Sequence, residues 1–271
     1  MNQRVRSALA AIPLALLVII LGRVYLAVTL LVIGILAVRE FYKLAQFSGY
    51  GPLELVGVLG VTAFVALGHL GLQQAVGLAV TAIILMTLSW QTLVFEGQNS
   101  IANSAITLLG SVYVGLPMAT TLMLRYTGGE QAGFGYLLIA VLTVWATDIG
   151  AYYGGRAFGK RKLAPKVSPN KTYEGAIAGF ISGVITGAIV RELGAVLLWW
   201  PHLSLGHSLA LAVITSVSGQ IGDLAESAFK RSAEVKDSGT FLPGHGGVLD
   251  RLDSLLLAIP VVYYYVRLFL S

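Results

Sequence analysis

The chain contains no cysteine. That excludes disulfides, a thiolate nucleophile and cysteine-ligated zinc, so any catalytic metal must use oxygen ligands or the four histidines. Charge is also scarce: 11% of the residues are Asp, Glu, Lys or Arg, against roughly 25% in soluble domains. With 56% hydrophobic residues, an ordinary globular protein is excluded. No soluble domain, long linker or low-complexity tract is visible, and without a soluble basic domain nucleic acid is not an expected partner.

What the sequence has in quantity is apolar runs. Windows of about 20 mostly apolar residues fall near Ser7–Gly22, Val24–Val38, Leu53–Leu70, Ala75–Phe95, Ile101–Leu124, Tyr136–Tyr153, Thr172–Val190, Ser208–Glu226 and Ser254–Leu270. The expected fold is all-α, a polytopic integral membrane bundle of about nine transmembrane helices. Arg23 alone separates the first two runs; an arginine at mid-bilayer is costly, so a tight hairpin with Arg23 at its tip is expected. A cleaved signal peptide is the alternative for the first run, but no small-residue cleavage site follows it.

The basic residues sort by side. With nine spans and the N-terminus inside, only Arg23, Arg125, Arg191 and Arg267 lie outside. The other lysines and arginines face the cytoplasm, as the positive-inside rule requires. We expect an integral membrane protein whose net charge of +5 meets anionic lipids or phosphorylated substrates on its cytoplasmic face. Acids and bases gather at span ends only from Trp145 onward, so residues 1–130 read as scaffold and 131–271 as the catalytic half. Gly175, Gly179, Gly183 and Gly187 recur every fourth residue, a smooth ridge for close helix approach. It suits packing within the chain or the seam of a homodimer.

Three polar stretches carry the chemistry. Asp148 lies inside an apolar span and needs a partner or a watery cavity; a structural ion pair or a proton or ion relay are alternatives. Gly154 to Gly175 is basic, with Lys171 beside Ser168. Its G-x-x-x-x-G-K spacing is not a P-loop, because Arg161 replaces the hydroxyl and a membrane helix precedes it. Asn170, Lys171 and Thr172 open a helix whose N-terminal amides suit a phosphate. In the third stretch, Asp223, Glu226, Ser227 and Lys230 share a helical face, where Glu226 and Lys230 could equally be no more than an ion pair. A glycine-rich turn then leads to Asp250 and Asp253, one turn apart. Such a turn offers backbone amides to an anion, and paired carboxylates amid lysines and arginines suit a divalent cation bridging phosphate oxygens. Helix capping explains one of the two aspartates, not both. These features argue for metal-assisted phosphoryl or nucleotidyl transfer to a lipid.

Ser227 to Asp253 resembles the signature of phosphatidate cytidylyltransferases: S-x-apolar-K-R, four residues, K-D-x-G, then L-P-x-H-G-G-x-x-D-R-x-D. Trp145, Asp148, Ala151, Tyr152, Gly155, Arg156, Gly159, Lys160, Ser168, Pro169, Lys171, Thr172, Glu174 and Gly175 resemble the stretch that precedes it in that family. The likeness covers about Trp145 to Asp253, and nothing is carried over to the N-terminal half. It implies CTP and phosphatidic acid as substrates, CDP-diacylglycerol and pyrophosphate as products, with magnesium (Mg2+) and a second, monovalent cation such as K+. On that footing Asp223 and Asp250 are the first metal-ligand candidates, with Asp253 and Asp148 as further ligands or supports. Lys230, Arg231 and Arg251 would neutralise the phosphates, assisted by Lys171. Ser168, Lys236, Gly246 and Gly247 join the nucleotide-binding candidates, and His245 either orients phosphate or shapes the turn. Rival readings are a relative acting on another lipid, such as a polyprenyl alcohol, and a transporter.

Overall fold

The computed structural model describes residues 3–94, 99–196, 203–239 and 246–270, with side chains from residue 12 onward. Among them are nine α-helices: α1 (Gln3–Leu21), α2 (Arg23–Phe47), α3 (Glu54–Leu70), α4 (Val76–Leu93), α5 (Ser100–Tyr126), α6 (Glu130–Phe158), α7 (Tyr173–Val196), α8 (Leu205–Ser232) and α9 (Leu249–Phe269). Seven are long and apolar enough to cross a bilayer; α3 and residues 12–21 of α1 are apolar but shorter. The protein is an all-α polytopic membrane protein, as its composition requires. Gly22 and Arg23 both adopt positive φ, so the first two apolar runs are separate helices.

Several helices outrun the expected spans. At about 1.5 Å per residue, the 29 residues of α6 reach ~43 Å, well beyond a ~30 Å hydrocarbon layer. Polar ends continue the helical hydrogen bonding outside the apolar window, which places Lys230 and Arg231 in the last turn of α8.

The chain forms two compact units. The first comprises residues 1–123 and 229–251, the second 124–228 and 252–271. In the first, fully buried Tyr42 donates its hydroxyl to the Thr107 carbonyl at 2.7 Å. Gly57 of α3 and Gly110 of α5 make room for its ring, where any β-carbon would collide. Phe41, Tyr113 and Phe229 stack edge to face or tilted beside it. Single polar residues of α5 tie down the α2–α3 connection: Asn103 accepts from the Gly51 amide and Thr107 from the Leu53 amide.

In the second unit the glycine ridge of α7 faces inward. A β-carbon on Gly179 would lie 2.6 Å from the Thr147 carbonyl of α6, and one on Gly183 would strike the Thr147 hydroxyl. Gly187 likewise meets Ala212 of α8. The ridge is therefore filled within the chain and leaves no seam there for a second copy. The opposite face of α7, with Ile177, Ile181, Ile185 and Ile189, is exposed, as a lipid-facing stripe should be.

Asn170, Lys171 and Thr172 do not open the helix as expected; they lie in a strand, and α7 begins at Tyr173, so the basic 160–172 stretch is ordered differently. It folds as an antiparallel hairpin of β1 (Lys162–Ala164) and β2 (Ser168–Thr172), pairing Lys162 with Thr172 and Ala164 with Ser168. Residues 169–171 oppose residue 163 alone, a bulge that accommodates Pro169, which has no amide to donate. Helical periodicity gave no warning of so short a ladder.

Candidate active site

A cavity of about 490 Å³ opens in the second unit, within the size range of small-molecule sites. Asp148, Tyr152, Gly155 and Arg156 line it from α6; Ser168, Asn170, Lys171 and Thr172 from β2; Gln220 and Asp223 from α8. The α6 residues share a face because they lie three, four and seven or eight positions apart. The start of α7 closes the wall, and its geometry is fixed locally. The Thr172 hydroxyl accepts the Gly175 amide at 3.1 Å, an N-cap bond. The Glu174 carboxylate accepts from the Lys160 and Arg161 amides, tying the hairpin's entry to the same helix end.

Carboxylates meet on one side. Lys171 Nζ lies 2.7 Å from Asp223 Oδ2. Asp148 accepts a long bond, 3.3 Å, from the Ser254 hydroxyl of α9. Asp253 bonds only the adjacent Ser254 amide among the described residues. Close helix approach makes this grouping possible, since a β-carbon on Gly222 of α8 would strike the Asp253 carbonyl. Glu226, on the next turn of α8, is fully buried.

Among the described residues, no group of three or more His, Asp or Glu side chains is placed to hold a metal ion. Magnesium does not need one. It is held by one or two carboxylates while phosphate oxygens and water complete the octahedron, so this hard-oxygen donor set fits it as a partner of a bound phosphate.

The first unit holds the other candidates. Asp250 Oδ1 pairs with Lys230 Nζ at 2.6 Å, both side chains nearly buried. Its Oδ2 accepts from the Ser238 amide and hydroxyl, each at 2.9 Å, and from the Gly247 amide at 2.7 Å. The amides expected to await an external anion thus serve the chain's own carboxylates. Gly246 has φ of 78° and would crowd Asp250 if it carried a side chain, so both conformation and space select glycine. Arg231 donates to the Val235 carbonyl, and Lys236 and Arg251 are exposed. His245, with Pro243 and Gly244, lies outside the described residues.

The structure therefore groups Asp148, Ser168, Lys171, Asp223 and Asp253 in one unit. It groups Lys230, Arg231, Lys236, Gly246, Gly247, Asp250 and Arg251 in the other. Sequence reasoning missed Ser254, Gln220, Ser238 and Glu40. Glu40 of α2 accepts the Val248 and Leu249 amides at 3.0 and 2.8 Å. Its only sequence signal is an acid near the end of an apolar helix.

The sequence model of the cytidylyltransferase family matches residues 2–269. A Bacillus subtilis protein named phosphatidate cytidylyltransferase is 32% identical over 273 residues, covering 99% of this chain and 98% of its own. Relatives of the same name from Staphylococcus haemolyticus and Staphylococcus aureus are 34% and 33% identical, each covering 97% of both chains.

Proposed function

The chain belongs to the cytidylyltransferase family, and from that premise we propose that it transfers CMP from CTP to phosphatidic acid, forming CDP-diacylglycerol and releasing pyrophosphate. The observation that carries this reading is the cavity of the second unit, where Asp148 and Asp223 stand opposite a basic hairpin and Lys171 bridges to Asp223. A neutral lipid-binding groove would not concentrate acids and bases in this way. The proposed setting is the inner membrane, with the cavity served from the cytoplasmic side, where CTP is found.

In the reaction an oxygen of the phosphatidate phosphate attacks the α-phosphorus of CTP in line. A new P–O bond forms as the α–β anhydride breaks, and its electron pair leaves with pyrophosphate. The attacking phosphate is already anionic, so no side chain need act as general base. Positioning and charge neutralisation carry the rate. Lys171 and Arg156 hold phosphate oxygens at the cavity wall, with Ser168 donating beside them. Asp223 and Asp253 would hold magnesium, with Asp148, which lines the cavity with Asp223, as a further ligand or support. When bound, that ion would offset charge on the reacting phosphates. Lys230, Arg231 and Arg251 are proposed to neutralise substrate phosphates. Lys236, His245, Gly246 and Gly247 are proposed to contact the nucleotide. Asp250 already has both oxygens engaged, so we give it the holding of Lys230 ahead of metal ligation. A second, monovalent cation and pairing of two copies belong to the same proposal, the latter through a face other than the glycine ridge.

The test is pyrophosphate release by purified protein in detergent with CTP, phosphatidic acid and magnesium, omitting each in turn. Release that requires all three and yields a CMP-linked lipid is expected. Silence from folded protein, or release without phosphatidic acid, contradicts the reading.

A further inference from the structure

The glycine-rich turn that precedes α9 is braced by a residue from the opposite end of the chain. Glu40 lies 198 positions before Ser238 in sequence, on α2. Its Oε1 accepts the Val248 amide at 3.0 Å, and its Oε2 accepts the Leu249 amide at 2.8 Å. The Ser238 hydroxyl reaches Glu40 Oε2 at 3.1 Å and Asp250 Oδ2 at 2.9 Å, so one hydroxyl proton is shared between two carboxylates. All these groups belong to the first unit.

The position is favourable on three counts. The free amides at a helix start carry partial positive charge, which a carboxylate complements. Each carboxylate oxygen has two acceptor sites, so Glu40 can satisfy two amides and a hydroxyl together. Lys230, paired to Asp250, supplies a positive charge to the same network. The glycines follow from this bracing. A β-carbon on Gly239 would collide with the Glu40 carboxylate, and one on Gly247 would collide with both Glu40 and Ser238. Neither glycine has positive φ, so close approach and not backbone conformation makes glycine necessary at these two sites.

We propose that Glu40 is the positioning residue of this reaction: through Ser238 and the start of α9 it sets the placement of Asp250 and hence of Lys230. This rests on the reaction proposed above, in which Lys230 neutralises substrate phosphate. Glu40 itself touches no reacting atom. Gln at this position keeps the size but offers one acceptor oxygen and turns an NH2 group toward donors. The turn then loses its fixed register while α2 is unchanged.

The test uses full-length protein with Glu40→Gln, Glu40→Asp and Ser238→Ala, read by steady-state kinetics and by hydrogen exchange of the backbone amides. In Glu40→Gln, exchange at Gly247, Val248 and Leu249 should accelerate while the α2 amides keep their protection. The kcat should fall about 10-fold or more, as small displacements of a catalytic group do, with KM for CTP changed less than about 3-fold. Glu40→Asp should recover part of the rate, and Ser238→Ala should reproduce the kcat loss without the electrostatic change. If Glu40→Gln does not fold, the Asp and Ser238 variants decide by the same criteria. Unchanged exchange at 247–249, or a kcat within about 2-fold of wild type, overturns the proposal. If the wild-type protein forms no CMP-linked lipid, the reaction assigned above fails, and the exchange pattern alone decides whether Glu40 holds the turn.

Discussion

The two units treat their carboxylates in opposite ways. In the first, Glu40 and Asp250 are surrounded by donors: amides of Ser238, Gly247, Val248 and Leu249, the Ser238 hydroxyl and the Lys230 ammonium. In the second, donors are few: Lys171 pairs with Asp223, a long hydroxyl bond serves Asp148 and a neighbouring amide serves Asp253. A carboxylate saturated by backbone amides is fixed and has little capacity left. Carboxylates with few donors around them retain acceptor sites for a cation. The contrast points to cation binding by the second unit's carboxylates and to the placing of Lys230 by the turn.

The sharpest way to break the comparison is Asp223→Ala. If the cavity carboxylates do the chemistry, turnover should fall by about 10²-fold or more while thermal stability holds, measured as CMP-linked lipid formed per folded protein. Activity close to wild type would remove the distinction between the units. Lys171→Met probes the same side with a smaller effect. Loss of the ammonium frees Asp223, so the magnesium concentration for half-maximal rate should drop while KM for CTP rises roughly 10-fold. Smaller still, Gly247→Ala should act on the turn. The added methyl meets Glu40 and Ser238, so unfolding free energy should fall by about 1–3 kcal/mol with the magnesium requirement unchanged. Thermal denaturation and a magnesium titration read both halves of that outcome.

How far the sequence revealed this arrangement depends on the range of the signal. Helix number and placement were legible because twenty-residue apolar windows are local and strong, as in Ala75–Phe95 against the observed Val76–Leu93. The helix ends were not, since Lys230 and Arg231 continue α8 on hydrogen bonding that hydropathy does not register. The four-residue glycine period showed that a helix would approach α7 closely, but not which one, and the identity of Thr147 and Ala212 as neighbours is a three-dimensional fact. Asp148, Lys171 and Asp223 could be singled out by the cost or density of their charge and Ser168 by the family resemblance, and they do share the cavity. Glu40 could not, because nothing local ties an acid on the second helix to amides about 200 residues later.

Asp250 and Asp253 offer the most direct test of the division, since they lie one turn apart on α9 and belong to different units. The measurement is a magnesium titration of initial rate for Asp250→Asn and Asp253→Asn beside wild type. The expected result is a large rightward shift in the magnesium requirement for Asp253→Asn, and for Asp250→Asn a lower maximal rate at an unchanged requirement. A shift in Asp250→Asn with none in Asp253→Asn would contradict the assignment and move the cation to the turn.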